Sequence, residues 1–533
     1  MRKRGEHGVL ILAAAFLLMF GLISADYFSI ACRQSYADMA AEREVLTVRA
    51  SDSQGTVYDR NMKPLCNTVE RYEAVAVPRA LNFEKTADYA VDREAFRTAF
   101  EKGVPFVFEC RNDTPESDAL TVFPVPERYT DGQPAQHIIG YISEGKGVAG
   151  IEYAYDTILR GNGGENSVGY SVDGFGRVII GDGKKVTRSS VGASGVVTTI
   201  DREIQMICEE CGREMNKGAI VVSDVSTGDI LAMVSFPQYT AGSIAEALDD
   251  PDCPLIDRCL YSYGVGSIFK LVTACEAIEE GKGDIIYDCK GSINVNGQNF
   301  NCHRLDGHGA QNMSRAITNS CNTYFISLSQ QLDTARFRKK AQELGFGREN
   351  DLCAGITGST GVLPRAEELS VPAELANFSF GQGRLTATPL QINRFTCAIA
   401  GGGEMPELRL IRGLTADGKE ISGEKSPQKV RVMEMRTARL LRQMMTAAVR
   451  GNSESNAVSG IVDCGAKTST AQTGRYDAEG EELCHAWITG FFPAEAPEYA
   501  VTVLAEDGGY GNKAAAPVFR NIAERITKRV GTA

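Results

Sequence analysis

The chain has 533 residues, 43% of them hydrophobic and 23% charged, which is globular composition and more than one ordinary core can absorb, so two or more folded domains are expected. Its net charge of −12 argues against a nucleic-acid surface. The 15 Cys are an odd number scattered along the chain, so no disulfide framework is legible and most are read as small core residues.

The first element is a membrane candidate. Arg2, Lys3 and Arg4 precede an uncharged run from Gly8 to Ala25. As a helix this run spans about 27 Å, close to the hydrocarbon thickness of a bilayer. The basic flank places residues 1–7 in the cytoplasm and the bulk of the chain outside it. A cleaved signal peptide competes with this reading, but the apolar run is long and no clear Ala-x-Ala site follows. Ser29-Ile30-Ala31-Cys32 ends like a lipoprotein site without its usual Leu. An uncleaved anchor is the expectation.

Residues 26 to about 50 lack Pro and read as a helical stalk. Gln54–Asn61 reads as a strand running into a turn, and 161–186, rich in Gly and charge, as long exposed hairpins. A composition shift at Ser194–Asp201 opens a further domain, so the chain divides into 1–7, 8–25, a stalk and pedestal over 26–193, and a last domain over 194–533. Within that domain Ile204–Met215 reads as a helix. Gly218–Val225 and Asp229–Ser235 read as a hairpin around Ser226-Thr227-Gly228. Residues 311–450 are mostly helical, Ile461–Thr473, Cys484–Phe492 and Glu498–Glu506 are strand candidates, and an amphipathic helix closes the chain. Two strands, a helical block, three strands and a helix predict an α+β fold: a five-stranded antiparallel sheet with helices on its faces.

Chemistry concentrates at Tyr263-Gly264-Val265-Gly266-Ser267-Ile268-Phe269-Lys270. The glycines free the backbone before a serine, and the apolar run that follows, ending near Gly281, reads as a buried helix. Ser267 and Lys270 share one helix face. Burial would leave the lysine a neutral amine able to take the serine proton. A bare S-x-x-K also recurs by chance as an N-cap and a surface lysine. Two further patterns add weight: Ser320-Cys321-Asn322, between two helical stretches, and Lys467-Thr468-Ser469-Thr470, within the third strand. Lys467 and Ser469 are expected on one strand face, Thr468 and Thr470 on the other.

The order S-x-x-K, S-x-N, K-T-x resembles the class B penicillin-binding proteins, monofunctional peptidoglycan D,D-transpeptidases. The resemblance extends to Gly55–Asn61, Gly150-Ile151-Glu152 with Leu159-Arg160-Gly161, Thr199-Ile200-Asp201 with Gln205, Gly228–Met233, Phe380-Gly381-Gln382-Gly383 with Thr388–Gln391, and His485–Phe491. It implies a transmembrane helix, an elongated pedestal of dimerisation type and a transpeptidase domain. It implies Ser267, Lys270, Ser320, Asn322 and Lys467 as catalytic residues, Thr468, Ser469 and Thr470 as substrate-binding, and no cofactor. The implied ligands are peptidoglycan stem peptides and β-lactams, and the implied partner a membrane glycan polymerase. A hydrolase with the same nucleophile and an inactive scaffold remain alternatives; Glu343, Glu367 and Glu368 are candidate deacylation bases.

The chain departs from the family at Ser469, where Gly is usual, at Gln54, where Arg is usual, and at Val265, where Pro often stands. Ser469 is expected to narrow the cleft, so Ser469→Gly should leave acylation equal or faster. Cys289 with Cys302, and Cys253 with Cys259, could pair. Cys208-Glu209-Glu210-Cys211 lacks a second Cys pair for zinc. Cys302, His303 and His308 are close in sequence, but five His in the whole chain support no metal site.

Overall fold

The computed structural model describes residues 2–32, 45–52, 54–161, 165–181, 183–188 and 194–531. The chain forms two compact units, one of 1–53, 70–126 and 163–191 and one of 54–69, 127–162 and 192–533.

The first unit begins with a helix over Arg2–Ala31, and Gly8–Ala31 is long and apolar enough to cross a membrane. Of the helical stalk expected over 26 to about 50, residues 26–31 are helical, continuing the first helix, but the end is corrected. Val45–Asp52 is a strand, antiparallel to Glu165–Ser171, which in turn pairs with Lys185–Thr187. The rest of that expectation, 33–44, lies outside the described residues. A hairpin forms within 161–186 as expected, but its exposure is corrected in part. Asn166–Tyr170 are buried, with Val168 and Tyr170 in a core beside Val75 and Phe123, and exposure is concentrated at the following turn. Gly and charge signalled that turn but not the alternating apolar residues before it. A second sheet, Phe106–Cys110, Val69–Ala76 and Leu120–Glu127 in that order, carries Phe96 against Phe106 and Phe108.

The second unit is built on a five-stranded antiparallel sheet. Its strands are β1 (Gly218–Asp224), β2 (Ile230–Phe236), β3 (Gly465–Tyr476), β4 (Glu482–Phe492) and β5 (Tyr499–Ala505). The spatial order is β2-β1-β5-β4-β3, so β3 is an edge. β1 and β2 are apolar almost throughout because both sheet faces are covered. On one face lie α1 (Lys270–Glu279) and α2 (Asn322–Ser329), together with α3 (Pro389–Ala400). Asn393 of α3 donates to the carbonyls of Val221 and Ala500, tying the helix to two strands. On the other face, α4 (Gly511–Val530) and the helix Arg202–Cys211 bury Phe519, Ile522, Ile204 and Cys208 against the sheet.

The same unit takes in the Gly55–Asn61 segment. Thr56–Tyr58 pairs in parallel with Gly195–Thr198, and Asp59 closes the turn by accepting from the backbone N–H of Asn61 and Lys63. Nearby, Glu152 is 1% exposed and is held by Arg128 Nε at 2.7 Å and by the Tyr129 hydroxyl at 2.9 Å. Removing one partner of a buried pair strands the other charge without solvent. Arg128→Ala is therefore expected to destabilise this unit by about 3–5 kcal/mol, read as a fall in the thermal unfolding midpoint, while Arg128→Lys loses less.

Candidate active site

The nucleophile turn precedes α1. Gly266–Phe269 forms a single 3₁₀ turn, and Lys270 then starts the helix, which ends before Gly281 at a φ of +74°. The side chains of Ser267 and Lys270 come together as their spacing predicts: Lys270 Nζ lies 3.0 Å from Ser267 Oγ. It also donates to the Ser320 carbonyl at 2.7 Å and to Asn322 Oδ1 at 2.6 Å, and lies 3.1 Å from Ser320 Oγ. Lys467 Nζ is 3.2 Å from the same Ser320 Oγ and donates to the Thr468 carbonyl at 2.8 Å. One serine hydroxyl thus stands between two amines. All five residues expected to act together converge on one place.

Lys270 is fully buried and Lys467 is 3% exposed. Burial pushes the Lys270 amine well below the usual lysine range, and the neighbouring Lys467 charge pushes it further. Burial lowers Lys467 to about 8. The sequence left open which lysine is neutral; the geometry favours Lys270. A neutral amine has two N–H groups and one lone pair. Here the Ser320 carbonyl and Asn322 Oδ1 take the N–H groups, leaving the lone pair for the Ser267 hydroxyl proton.

The turn carrying Ser267 is tied at three successive residues. Trp487 Nε1 donates to the Gly264 carbonyl at 3.0 Å, Ser469 Oγ donates to the Val265 carbonyl at 2.8 Å, and the Gly266 N–H donates to the Gly381 carbonyl at 2.9 Å. Gly266 has a φ of +60°, and a Cβ there would lie 2.4 Å from Ser469 Oγ, so only glycine fits. These ties were missed in the sequence. Trp487, the only Trp in the chain, and Phe380–Gly383 were noticed as family stretches without a role.

The expectation for Ser469 is corrected. Its hydroxyl is spent on the nucleophile turn rather than standing in the cleft. Thr468 and Thr470 are half-buried, and Thr470 Oγ1 accepts from the Gly511 N–H at 3.2 Å. A cavity of about 530 Å³ opens beside Ser320, Lys467 and Thr468 and reaches Arg304 and Asn512. Glu454, the single carboxylate on its wall among the described residues, is exposed. Glu343 is ion-paired to Lys339 and Lys340, Glu368 to Arg365 and Arg384, and Glu367 is exposed; none of the three lines that cavity. All 15 cysteines are free thiols, so neither suggested disulfide forms; Cys253 is exposed whereas Cys259 is buried.

A family model described as the penicillin binding protein transpeptidase domain matches residues 218–524. The chain belongs to the penicillin-binding protein transpeptidase family. The match covers the sheet and every residue of the site above. Among relatives, stage V sporulation protein D of Bacillus subtilis is 26% identical, over 97% of this chain and 85% of its own. Peptidoglycan D,D-transpeptidase MrdA of Escherichia coli is 24% identical, over 97% and 93%. The solved structure of penicillin-binding protein A from M. tuberculosis, a ceftriaxone acyl-enzyme complex, superposes with a TM-score of 0.66 at 22% identity, over 89% of this chain and 98% of that one. This likeness fixes the transpeptidase fold.

Two outcomes follow from the site. Ser469→Gly removes a buried hydrogen bond of about 1 kcal/mol and frees the turn, so β-lactam acylation should slow roughly fivefold. Stopped-flow acylation kinetics read this. The pH profile should be bell-shaped. Acylation should rise with pH as Lys270 loses its proton and fall above about pH 8 as Lys467 loses its charge. Lys467→Arg should move the upper limb to higher pH.

Proposed function

We propose that this chain, a class B penicillin-binding protein, cross-links peptidoglycan stem peptides through a Ser267 acyl-enzyme. The observation that carries the reading is the buried Lys270 amine 3.0 Å from Ser267 Oγ. Ser267 Oγ attacks the carbonyl between the two terminal D-alanines, and Lys270 takes its proton. The C–N bond breaks, and the proton passes through Ser320 Oγ, between the two amines, to the leaving D-alanine nitrogen. An amine of a neighbouring stem peptide then attacks the ester, displacing Ser267, which recovers a proton.

Lys467 and Thr468 bind the terminal carboxylate. Asn322 and the edge of β3 hold the peptide as an added strand, with Ser469 keeping that edge against the nucleophile turn. The backbone N–H groups of Ser267 and Thr470 form the oxyanion hole, each such donor worth about 3–4 kcal/mol in the transition state. β-Lactams acylate the same serine and stay, a reading supported by the absence of Glu343, Glu367 and Glu368 from the cavity wall.

The Gly8–Ala31 helix anchors the protein, with residues 1–7 cytoplasmic and the catalytic unit outside. The transpeptidase domain runs over 194–533, and the compact unit that carries it also takes in 54–69 and 127–162, which the sequence reading assigned to the pedestal. A membrane glycan polymerase supplies the strands to be linked, as the family resemblance implies. Fluorescent penicillin tests the core of this reading. Ser267→Ala should abolish covalent labelling with the unfolding midpoint retained, and the wild-type adduct should outlast the assay. Labelling that survives the substitution removes Ser267 from the reaction, and rapid release of product makes the protein a hydrolase.

A further inference from the structure

The strand Glu165–Ser171 ends in an apolar tip, at the end of the sheet where the chain arrives from the first helix. Val45–Asp52 is the first described strand after Arg2–Ala31. Its first residue, Val45, pairs with Ser171, the last residue of Glu165–Ser171. The turn over 172–180 therefore leaves the sheet at the end through which the chain enters it. Residues 33–44 separate that end from the helix, and a fully extended segment of this length reaches at most about 40 Å.

The turn is closed by its own hydrogen bonds and points its apolar groups outward. Val172 bridges Val178, and the Ile179 N–H donates to the Ser171 carbonyl at 2.8 Å. The Asp173 N–H donates to the Arg177 carbonyl at 2.8 Å, and Asp173 Oδ1 accepts from the N–H groups of Phe175 and Arg177, each at 2.9 Å. This closure leaves Phe175 at the apex, 86% exposed. No large apolar side chain among the described residues is more exposed, those of the first helix included. Val45, Ile179 and Ile180 are exposed as well, and Val45 and Ile179 both bond or pair to Ser171. Apolar side chains exposed singly are ordinary, whereas a group of them at one end of a sheet marks a contact surface.

Cations accompany this group in a chain whose net charge is −12. The Arg177 guanidinium lies 5.5 Å from the Phe175 ring centroid, Arg79 is close enough to act on the Asp173 carboxylate, and Lys185 is exposed on the returning strand. Aromatic and aliphatic tips with Arg and Lys around them suit the headgroup layer of a bilayer. A bilayer holding the helix also stands within reach of the turn, so its lipids act at high effective concentration.

We propose that the 172–180 turn is a second membrane contact, with Phe175, Ile179 and Ile180 entering the headgroup layer and Arg79, Arg177 and Lys185 meeting anionic lipid phosphates. It rests on the anchoring of Gly8–Ala31 proposed above. One spanning helix leaves rotation about its own axis unfixed. A second contact on the same unit removes that freedom.

Full-length protein in lipid vesicles tests this. Trp487 is the only Trp and is fully buried, so the unaltered protein supplies the background for an added indole. With Phe175→Trp, lipids brominated on the acyl chain near the glycerol should quench the added emission roughly twofold or more, as expected for a side chain seated at the headgroup–acyl boundary. Thr187→Trp is the control. Thr187 is exposed and pairs with Ser167, four residues from Ser171 and thus about 13 Å back along the sheet, so its emission should be unaffected. Arg177→Glu with Lys185→Glu, added to Phe175→Trp, should lower the quenching in vesicles containing phosphatidylglycerol and leave it unchanged in phosphatidylcholine alone. Flotation with the vesicles after an alkaline wash checks the anchor separately. In protein that passes this check, Phe175→Trp quenched no more than Thr187→Trp overturns the proposal and leaves the face to a protein partner. Quenching indifferent to lipid charge overturns the phosphate contact.

Discussion

A lysine at the start of a buried helix, held where its charged form is disfavoured, is the condition on which the catalytic unit depends. Lys270 has no access to solvent, and desolvation of its ammonium is the largest influence on it. Keeping that amine inside costs free energy unless its N–H groups are satisfied, and the Ser320 carbonyl and the Asn322 amide satisfy them. The same two contacts orient the lone pair toward Ser267. Stability and reactivity are therefore settled by one set of hydrogen bonds, and removing either acceptor would disturb both.

The surrounding structure holds that arrangement from two directions. From the sheet edge, Ser469 and Trp487 take the carbonyls of Val265 and Gly264, while Gly381 takes the N–H of Gly266. From the opposite side, the loop carrying Ser320 and Asn322 packs through Cys321 beside the thiols of Cys289 and Cys302 and beside His308. Ser469 has a different part from the glycine usual at its position. Where glycine lets the strand approach by having no side chain, Ser469 bonds directly to the turn, and Gly266 leaves the room its hydroxyl needs.

Much of the catalytic unit was legible because its elements obey simple rules. β1 and β2 are short apolar runs around a Ser-Thr-Gly turn, and α4 shows helical periodicity. The three short motifs carry residue types whose chemistry constrains their use. The stalk reading failed at 45–52 because absence of Pro and presence of Ala suit a helix, whereas pairing with Glu165–Ser171 made a strand. The hairpin at 161–186 forms, but its first strand is buried rather than exposed, because Gly and charge describe the turn alone. His and Cys were counted over the whole chain, a count that could not show that Cys289, Cys302, His308 and Cys321 gather within 4.8 Å of one another in space.

The sequence by itself determined the anchor-like helix, the sheet's five strands, and the identity and order of Ser267, Lys270, Ser320, Asn322 and Lys467. Each of these follows from local pattern or from side-chain chemistry, which travel with the residue. Only the tertiary structure decided that Lys270 is the more strongly neutralised of the two lysines, that Ser469 serves the turn and not the cleft, and that Cys321 joins Cys289, Cys302 and His308. Those facts depend on burial and on distances between residues far apart along the chain, and the packing of strand edge, helix and loop sets both.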